Sequence, residues 1–235
     1  MKPVVLLCGK AGVGKDTLAD HIISKIPNSR KIAHSDPMKE LGTHMFGFTK
    51  EQMFGSSEMR NKPDLRFVDP LAFIDIRVDV DGLSNATRKA LSPLARGRSL
   101  HKMVSDFSNN LFHKMHKQKA ILSPRIFLQE FGTEFARNID PDVWTKAIID
   151  RAYSGSFDLT VITDGRFRNE ISNARKNGIP SILIKSSSSL TSSHQSESEL
   201  DKIPDYWFDR IQTNYKTHDG LEIYLEQGMQ LVFSL

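Results

Sequence analysis

The sequence predicts an α/β protein: a parallel, doubly wound sheet with helices on both faces. Two apolar runs, Val4-Val5-Leu6-Leu7-Cys8 and Leu159-Thr160-Val161-Ile162-Thr163, are short and rich in β-branched residues, as fully buried parallel strands are. Each turns through glycine into a stretch with helical spacing. Strands that alternate with helices, joined by right-handed crossovers, build a parallel sheet.

The 235 residues are 39% hydrophobic and 26% charged, enough for one domain with its own core. Such a chain buries about 70% of its unfolded surface and needs no covalent staples. Lys and Arg number 32 against 28 Asp and Glu, a net charge of +4 that suits an anionic small molecule as well as a polyanion. The single cysteine, Cys8, excludes an intrachain disulfide framework and points to a reducing compartment. No apolar run approaches the ~18–20 residues of a transmembrane helix. The N-terminus lacks the long apolar stretch and small-residue cleavage site of a signal peptide. A soluble cytoplasmic protein is expected.

Between the first strand and its helix lies Gly9-Lys10-Ala11-Gly12-Val13-Gly14-Lys15-Asp16-Thr17. Gly9, four residues, then Gly14-Lys15 is the spacing of a phosphate-binding loop. Glycines let the backbone curl with its N–H groups turned toward an anion. The unpaired amides and positive end of the next helix add to the attraction, and Lys15 brings a full charge. Asp16 stands where Ser or Thr usually holds Mg²⁺. Its carboxylate is a hard oxygen donor, able to hold Mg²⁺ directly or through a water. The competing reading is a glycine-rich turn with an ordinary capping aspartate.

Leu18, Ala19, Ile22, Ile23 and Ile26 give the first helix its apolar face, and Pro27-Asn28 its stop. Residues 31–34 read as a weak second strand. Ser35-Asp36-Pro37 then opens a helix through Met38, Leu41, Met45 and Phe46 to Gly47. Lys39, in its first turn, is either a solvated lysine or a ligand contact. Residues 49–67 are polar, with Arg60, Lys62 and Arg66 around Pro63. Alternation over residues 73–80 before Asp81-Gly82 suggests a hairpin. Residues 84–98 read as loop.

A basic helix is expected over residues 99–119. His113 and His116 on it read as a solvated face, because further metal ligands cannot be placed. It lacks the interleaved aromatics of a nucleic-acid groove. Ser123-Pro124 opens another helix, interrupted by Gly132-Thr133. Arg125 in its first turn opposes the helix dipole, so it either awaits an anion or pairs with a carboxylate. Asp140-Pro141 starts the next helix, where Trp144 reads as core. Asp164 ends the strong strand at residues 159–163, at the edge where open α/β sheets bind ligands. It is either a site carboxylate or a helix cap. Arg166 and Arg168 follow on a loop, fit for clamping a transferring phosphate. A strand over residues 180–185, a serine-rich loop at 186–198, a last strand over 206–211 ending near Asn214, and a short helix over 220–226 complete the reading.

Four segments resemble the bacteriophage deoxynucleoside monophosphate kinases of the P-loop nucleoside monophosphate kinase group. They are Gly14-Lys15-Asp16-Thr17, Asp36-Pro37-Met38-Lys39, Pro124-Arg125 through Gln129 to Gly132-Thr133-Glu134, and Asp164-Gly165-Arg166-Phe167-Arg168-Asn169-Glu170. Asp142-Val143-Trp144 and His194-Gln195-Ser196-Glu197 follow the family's order, while residues 67–120 match poorly. The resemblance implies a three-layer P-loop kinase fold in one domain, with its core at about 1–48 and 121–235. A mostly helical acceptor-binding and lid insertion falls at about 49–120. It implies ATP-dependent phosphorylation of deoxynucleoside 5′-monophosphates to diphosphates for DNA precursor synthesis. By the same resemblance, Gly9, Gly12, Gly14, Lys15, Asp16 and Thr17 bind the ATP phosphates, with Asp16 and Thr17 at Mg²⁺. Lys39, Arg60, Arg125, Gly132, Thr133 and Trp144 serve the acceptor, Arg60 on the loosest match, anchored only by Gly55. Lys15, Asp164, Arg166 and Arg168 belong to phosphoryl transfer. A homodimer would be unsurprising for the family; no membrane or direct nucleic-acid partner is expected.

An acceptor phosphate is already ionised near neutral pH, so such a reaction needs charge neutralisation and in-line positioning rather than a strong base. Lid closure over residues 165–200 would keep water from the donor. Two rivals stand beside this reading. Another small-molecule P-loop kinase, acting on dephospho-coenzyme A or a sugar acid, would need a base such as Asp36 or Asp164. A nucleotide-dependent DNA-associated ATPase would hydrolyse ATP on DNA without phosphorylating nucleotides.

Overall fold

A computed structural model describes residues 4–69, 79–186, 195–215 and 220–234. β1 (Val4–Cys8) is buried throughout and leads into α1 (Lys15–Lys25). β2 (Ser29–Ile32) precedes α2 (Asp36–Phe46), which has Pro37 in its first turn and ends on a left-handed Gly47. Then come α3 (Lys50–Phe54), α4 (Ser57–Asn61), α5 (Asn85–Leu91) and α6 (Leu100–Gln118). α7 (Pro124–Gln129) is capped by Ser123 and continues as a π-helical turn, Glu130–Arg137. α8 (Val143–Tyr153), β3 (Leu159–Gly165), α9 (Arg168–Lys176) and β4 (Ser181–Ser186) follow. α10 (Gln195–Asp201), β5 (Arg210–Asn214) and α11 (Gly220–Phe233) end the chain.

The chain divides into two compact units, Met1–His34 with Ile148–Leu235, and Ser35–Ala147. The boundaries of these units fall at 34/35 and 147/148. The cause is packing: Leu41 of α2, Phe127 of α7 and Trp144 of α8 share one core with the intervening helices.

In the first unit the described strands form one parallel sheet, ordered β2-β3-β1-β4-β5. The period-two alternation of β1 divides its side chains between the two faces. Val4, Leu6 and Cys8 pack with Ile148, Ile171 and Leu200 of α8, α9 and α10. Val5 and Leu7 pack with Leu18 and Ile22 of α1 and Tyr224 of α11. These are the three layers of the expected fold. The strand order also sets the C-terminal ends of β1 and β3 side by side, Cys8 opposite Gly165. Burial, then the Glu170 carboxylate, push the Cys8 thiol pKa up, so it stays protonated as a packing residue.

The second unit is helical among its described residues. Its core is built on aromatic rings: Phe127 stacks on Phe131 with centroids 5.8 Å apart and meets Phe46 edge-on at 5.3 Å.

Several elements differ from expectation. β2 is Ser29–Ile32, so Ala33 and His34 lie beyond its last paired residue. Residues 84–98 are mostly helical, as α5 and a 3₁₀ turn Ser92–Ala95. Ser84 caps α5 by accepting from Thr87 N–H, and Glu40 accepts from Ser84 Oγ at 2.9 Å and from Thr87 Oγ1. The apolar residues there are too few to display a period, yet Leu91, Leu94 and Ala95 are buried. Residues 206–211 are not one strand. Pro204 starts a 3₁₀ turn at Asp205–Trp207, with Trp207 N–H donating to the Pro204 carbonyl at 3.0 Å, and the strand begins at Arg210. The last helix runs on to Phe233, past Gly228, where a Cβ would strike Leu18. That glycine permits close approach of α11 to α1 rather than ending the helix. The hairpin over 73–80 lies largely outside the described residues, as does most of the serine-rich loop. The helix expected over 99–119 is α6, with Ser99 as its cap.

Candidate active site

The sharp exit from β1 forms the loop. Gly9 has φ 147°, and a Cβ there would lie 2.6 Å from the Ile184 carbonyl of β4. Gly14, at the head of α1, has φ 105°, and a Cβ would lie 2.6 Å from Asn214 Nδ2. Both positions require left-handed backbone and close approach together, which only glycine tolerates. Gly12 is exposed, with φ 72°. Lys15 is 5% exposed, and its Nζ donates to the Lys10 carbonyl at 2.5 Å, folding the side chain back along the loop. Asp16 and Thr17 are exposed on the first turn of α1. The loop has further supports that no motif announces: Asn214 Nδ2 donates to the Val13 carbonyl and Tyr224 Oη to the Gly14 carbonyl, each at 3.0 Å.

The end of β3 carries the next group. Asp164 Oδ1 accepts from the backbone N–H of His34 and lies 2.7 Å from His34 Nδ1. His34 is 4% exposed. This pairing joins the chain just past β2 to the end of the neighbouring strand and orients the carboxylate. Sequence reasoning missed His34, because a single histidine at the end of a weak strand carries no signal of its own.

Arg166 and Phe167 form the turn into α9. Glu170, 2% exposed at the third position of that helix, accepts from the N–H groups of Arg166 and Phe167 at 2.8 and 3.0 Å. Its carboxylate satisfies amides that a helix start leaves open. The turn that presents the Arg166 side chain is therefore held from beneath. Arg168 is exposed, with its guanidinium over the Trp207 ring at 4.5 Å.

The second unit gathers the acceptor-side candidates. Lys39 Nζ lies 3.8 Å from Asp36 Oδ1 and 5.0 Å from the centre of the Phe54 ring of α3. Arg60 donates to the Gly55 carbonyl at 2.5 Å, so the glycine that anchored its motif is also its hydrogen-bond partner. Arg125 Nε donates to Oδ1 of Asn61, the residue after Arg60, at 3.0 Å. Residues 64 positions apart are thus joined through α4 and α7. Gly132 is buried in the π-helical turn, where a Cβ would strike the Met38 sulfur. Its carbonyl accepts from Trp144 Nε1 at 3.0 Å. Trp144 is 1% exposed and packs on Phe131, so in this conformation it shapes the turn from within. Thr133 beside it is partly exposed. π-turns are rare and recur at functional sites.

Among the described residues, no three His, Cys, Asp or Glu side chains cluster as a metal centre. No helix among them is long and apolar enough to cross a membrane.

A glycine loop with its lysine, a carboxylate and arginine at neighbouring sheet ends, and a helical unit carrying Lys39, Arg60 and Arg125 suit chemistry on phosphates. No curated protein matches the chain. A model of the deoxynucleotide monophosphate kinases matches it over residues 3–221. The chain therefore belongs to the deoxynucleotide monophosphate kinase family, phosphotransferases that phosphorylate deoxynucleotide monophosphates.

Proposed function

We propose that the phosphoryl donor is ATP, held with Mg²⁺ on the loop from Gly9 to Thr17, and that the acceptor's 5′-phosphate is bound by the basic residues of the helical unit. The observation that carries this reading is the loop itself: left-handed Gly9, Gly12 and Gly14 between a buried strand and α1, with Lys15 folded along it. Its amides and the head of α1 supply fixed positive ends for phosphate oxygens.

Asp16 and Thr17 suit Mg²⁺ by donor chemistry, as exposed hard oxygens on the first turn of α1. Magnesium is commonly held by one or two carboxylates together with substrate phosphates, a donor set to which Asp16 would contribute its carboxylate. When bound, the ion neutralises charge on the donor phosphates.

The chain's own residues divide the remaining work. Lys15 releases the Lys10 carbonyl and binds donor phosphate oxygens. Arg166 neutralises charge on the transferring group from a turn held by Glu170. Asp164, oriented by His34, fixes the neighbouring strand end, and Arg168 extends the clamp outward. Lys39, Arg60 and Arg125 bind acceptor phosphate, while Gly132 and Thr133 offer the backbone and hydroxyl of the π-turn, shaped by Trp144. The acceptor oxygen is already ionised near neutral pH, so no strong base is required. The fully buried Cys8 fits a reducing, cytoplasmic setting.

The test is ADP release from ATP and Mg²⁺ with each deoxynucleoside monophosphate, against a control without acceptor. Release that depends on a deoxynucleoside monophosphate supports the reading; equal release without one overturns it. In the same assay Arg125→Ala raises KM for the acceptor by about 10–100-fold, the scale of a lost charge-assisted contact, and leaves KM for ATP unchanged. An equal rise in both constants would remove Arg125 from the acceptor side.

A further inference from the structure

We infer that Asn214 of β5 and Tyr224 of α11 are positioning residues of the phosphate loop, aiming the amides of Gly14 and Lys15 at the donor's phosphates. The inference deepens the proposed function and rests on its assignment of the loop to the donor.

The geometry is that of two peptide planes. Asn214 Nδ2 donates to the carbonyl of Val13 and Tyr224 Oη to the carbonyl of Gly14, each at 3.0 Å. The peptide bonds of the described residues are trans. In a trans peptide the carbonyl and the following N–H point in opposite directions. Holding the Val13 carbonyl toward β5 turns the Gly14 N–H away from it. Holding the Gly14 carbonyl toward α11 does the same for the Lys15 N–H. These two amides lead into the Lys15 side chain and the head of α1, where an anion would meet them.

Three further features make the support rigid. The two side chains press on the loop, since a Cβ at Gly14 would lie 2.6 Å from Asn214 Nδ2 and 3.2 Å from Tyr224 Oη. Asn214 and Tyr224 are both buried, where a hydrogen bond holds its direction without competition from water. Gln212 Nε2 donates to the Tyr224 carbonyl at 2.6 Å, tying β5 to α11. Burial also pushes the Tyr224 phenol pKa far up, so it remains a donor throughout any assay range.

The Gly14 carbonyl also accepts the Leu18 N–H at 2.9 Å. Tyr224→Phe therefore removes one restraint on the peptide plane and leaves the start of α1 intact. An amide held by one restraint fewer is less well ordered before the ligand arrives, and that cost appears as weaker binding.

The experiment measures ATP binding with Mg²⁺ by calorimetry, and KM for both substrates, in Tyr224→Phe, Asn214→Ala and, in parallel, Lys15→Ala. Tyr224→Phe and Asn214→Ala are expected to weaken ATP binding about 5–30-fold each, with KM for the acceptor unchanged. A merely structural role would lower the melting temperature and leave the ATP constants alone, which overturns the inference. Should Asn214→Ala fail to fold, Tyr224→Phe carries the test. If Lys15→Ala loses ATP affinity while Tyr224→Phe binds ATP like the parent, the positioning role is wrong and the donor loop stands. If Lys15→Ala itself binds ATP like the parent, the donor-loop reading falls, and this inference with it.

Discussion

Lys15→Ala will fold and will lose about 10²–10⁴-fold in turnover, the scale on which removed transition-state electrostatics are felt. Lys15 is 5% exposed and lies along the loop, its Nζ donating to the Lys10 carbonyl. In the proposed reaction the same ammonium moves to phosphate oxygens, which carry more charge than a carbonyl. The exchange of a neutral acceptor for an anionic one strengthens as charge develops during transfer, so the loss falls on kcat as well as on binding. The loop does not depend on the side chain for its shape, since Gly9, Gly12 and Gly14 set the backbone and Asn214 and Tyr224 hold two of its carbonyls. A thermal melt near the parent's, with kcat reduced at saturating substrates, is the expected pair of results. Turnover within threefold of the parent would remove Lys15 from the reaction.

Arg166→Ala will produce a loss of comparable size, about 10²–10⁴-fold in kcat, with smaller changes in either KM. The Arg166 backbone N–H, which any residue at this position retains, bonds to Glu170. Phe167 N–H bonds to the same carboxylate oxygen, so the turn keeps its form when the guanidinium is removed. Arg166→Lys is the informative companion. It keeps the charge and loses the planar fork that meets two phosphate oxygens at once. Recovery to near-parent turnover would show that charge alone matters. A rise in KM for one substrate at unchanged kcat would place Arg166 in ground-state binding instead.

The legible parts of this protein are those in which a local physical demand selects the residue type. Buried parallel strands need apolar runs, so β1 and β3 stand out. Helix starts leave amides open, so Ser99, Ser123 and Asp36-Pro37 mark their helices. Positive φ with close backbone approach demands glycine, and Gly9 and Gly14 satisfy it. β5 lacks such a signature. Its buried members are Gln212 and Asn214, polar residues used to tie α11 and the loop, while Ile211 is exposed. Apolarity therefore points one turn too early, to residues 206–208. α5 is similarly quiet, because so short a helix cannot show a period and its burial depends on partners far away in the chain.

The candidate site divides along the same line. Lys15 and Asp16 are read from spacing, Thr17 from the family resemblance, and Asp164, Arg166 and Arg168 from their place after a strong strand. His34, Asn214 and Tyr224 carry no motif role, and each acquires its part by meeting a backbone or side chain brought to it by the fold, whereas Glu170 stands within a quoted segment and acts locally on the turn before it.

The amino-acid order alone determined the strand–loop–helix that opens the chain, the alternation that makes a parallel sheet, and the phosphate chemistry those imply. Each rests on interactions between residues a few positions apart. Only the tertiary structure decided where the two units divide and which strands are neighbours. It also decided that Asp164 meets His34, that Asn61 links Arg125 to the Arg60 helix, and that the last strand and helix brace the first loop. These contacts join residues 64 to 210 positions apart. They exist because burying apolar faces in common cores forces distant segments together, and the polar groups carried along must then find partners.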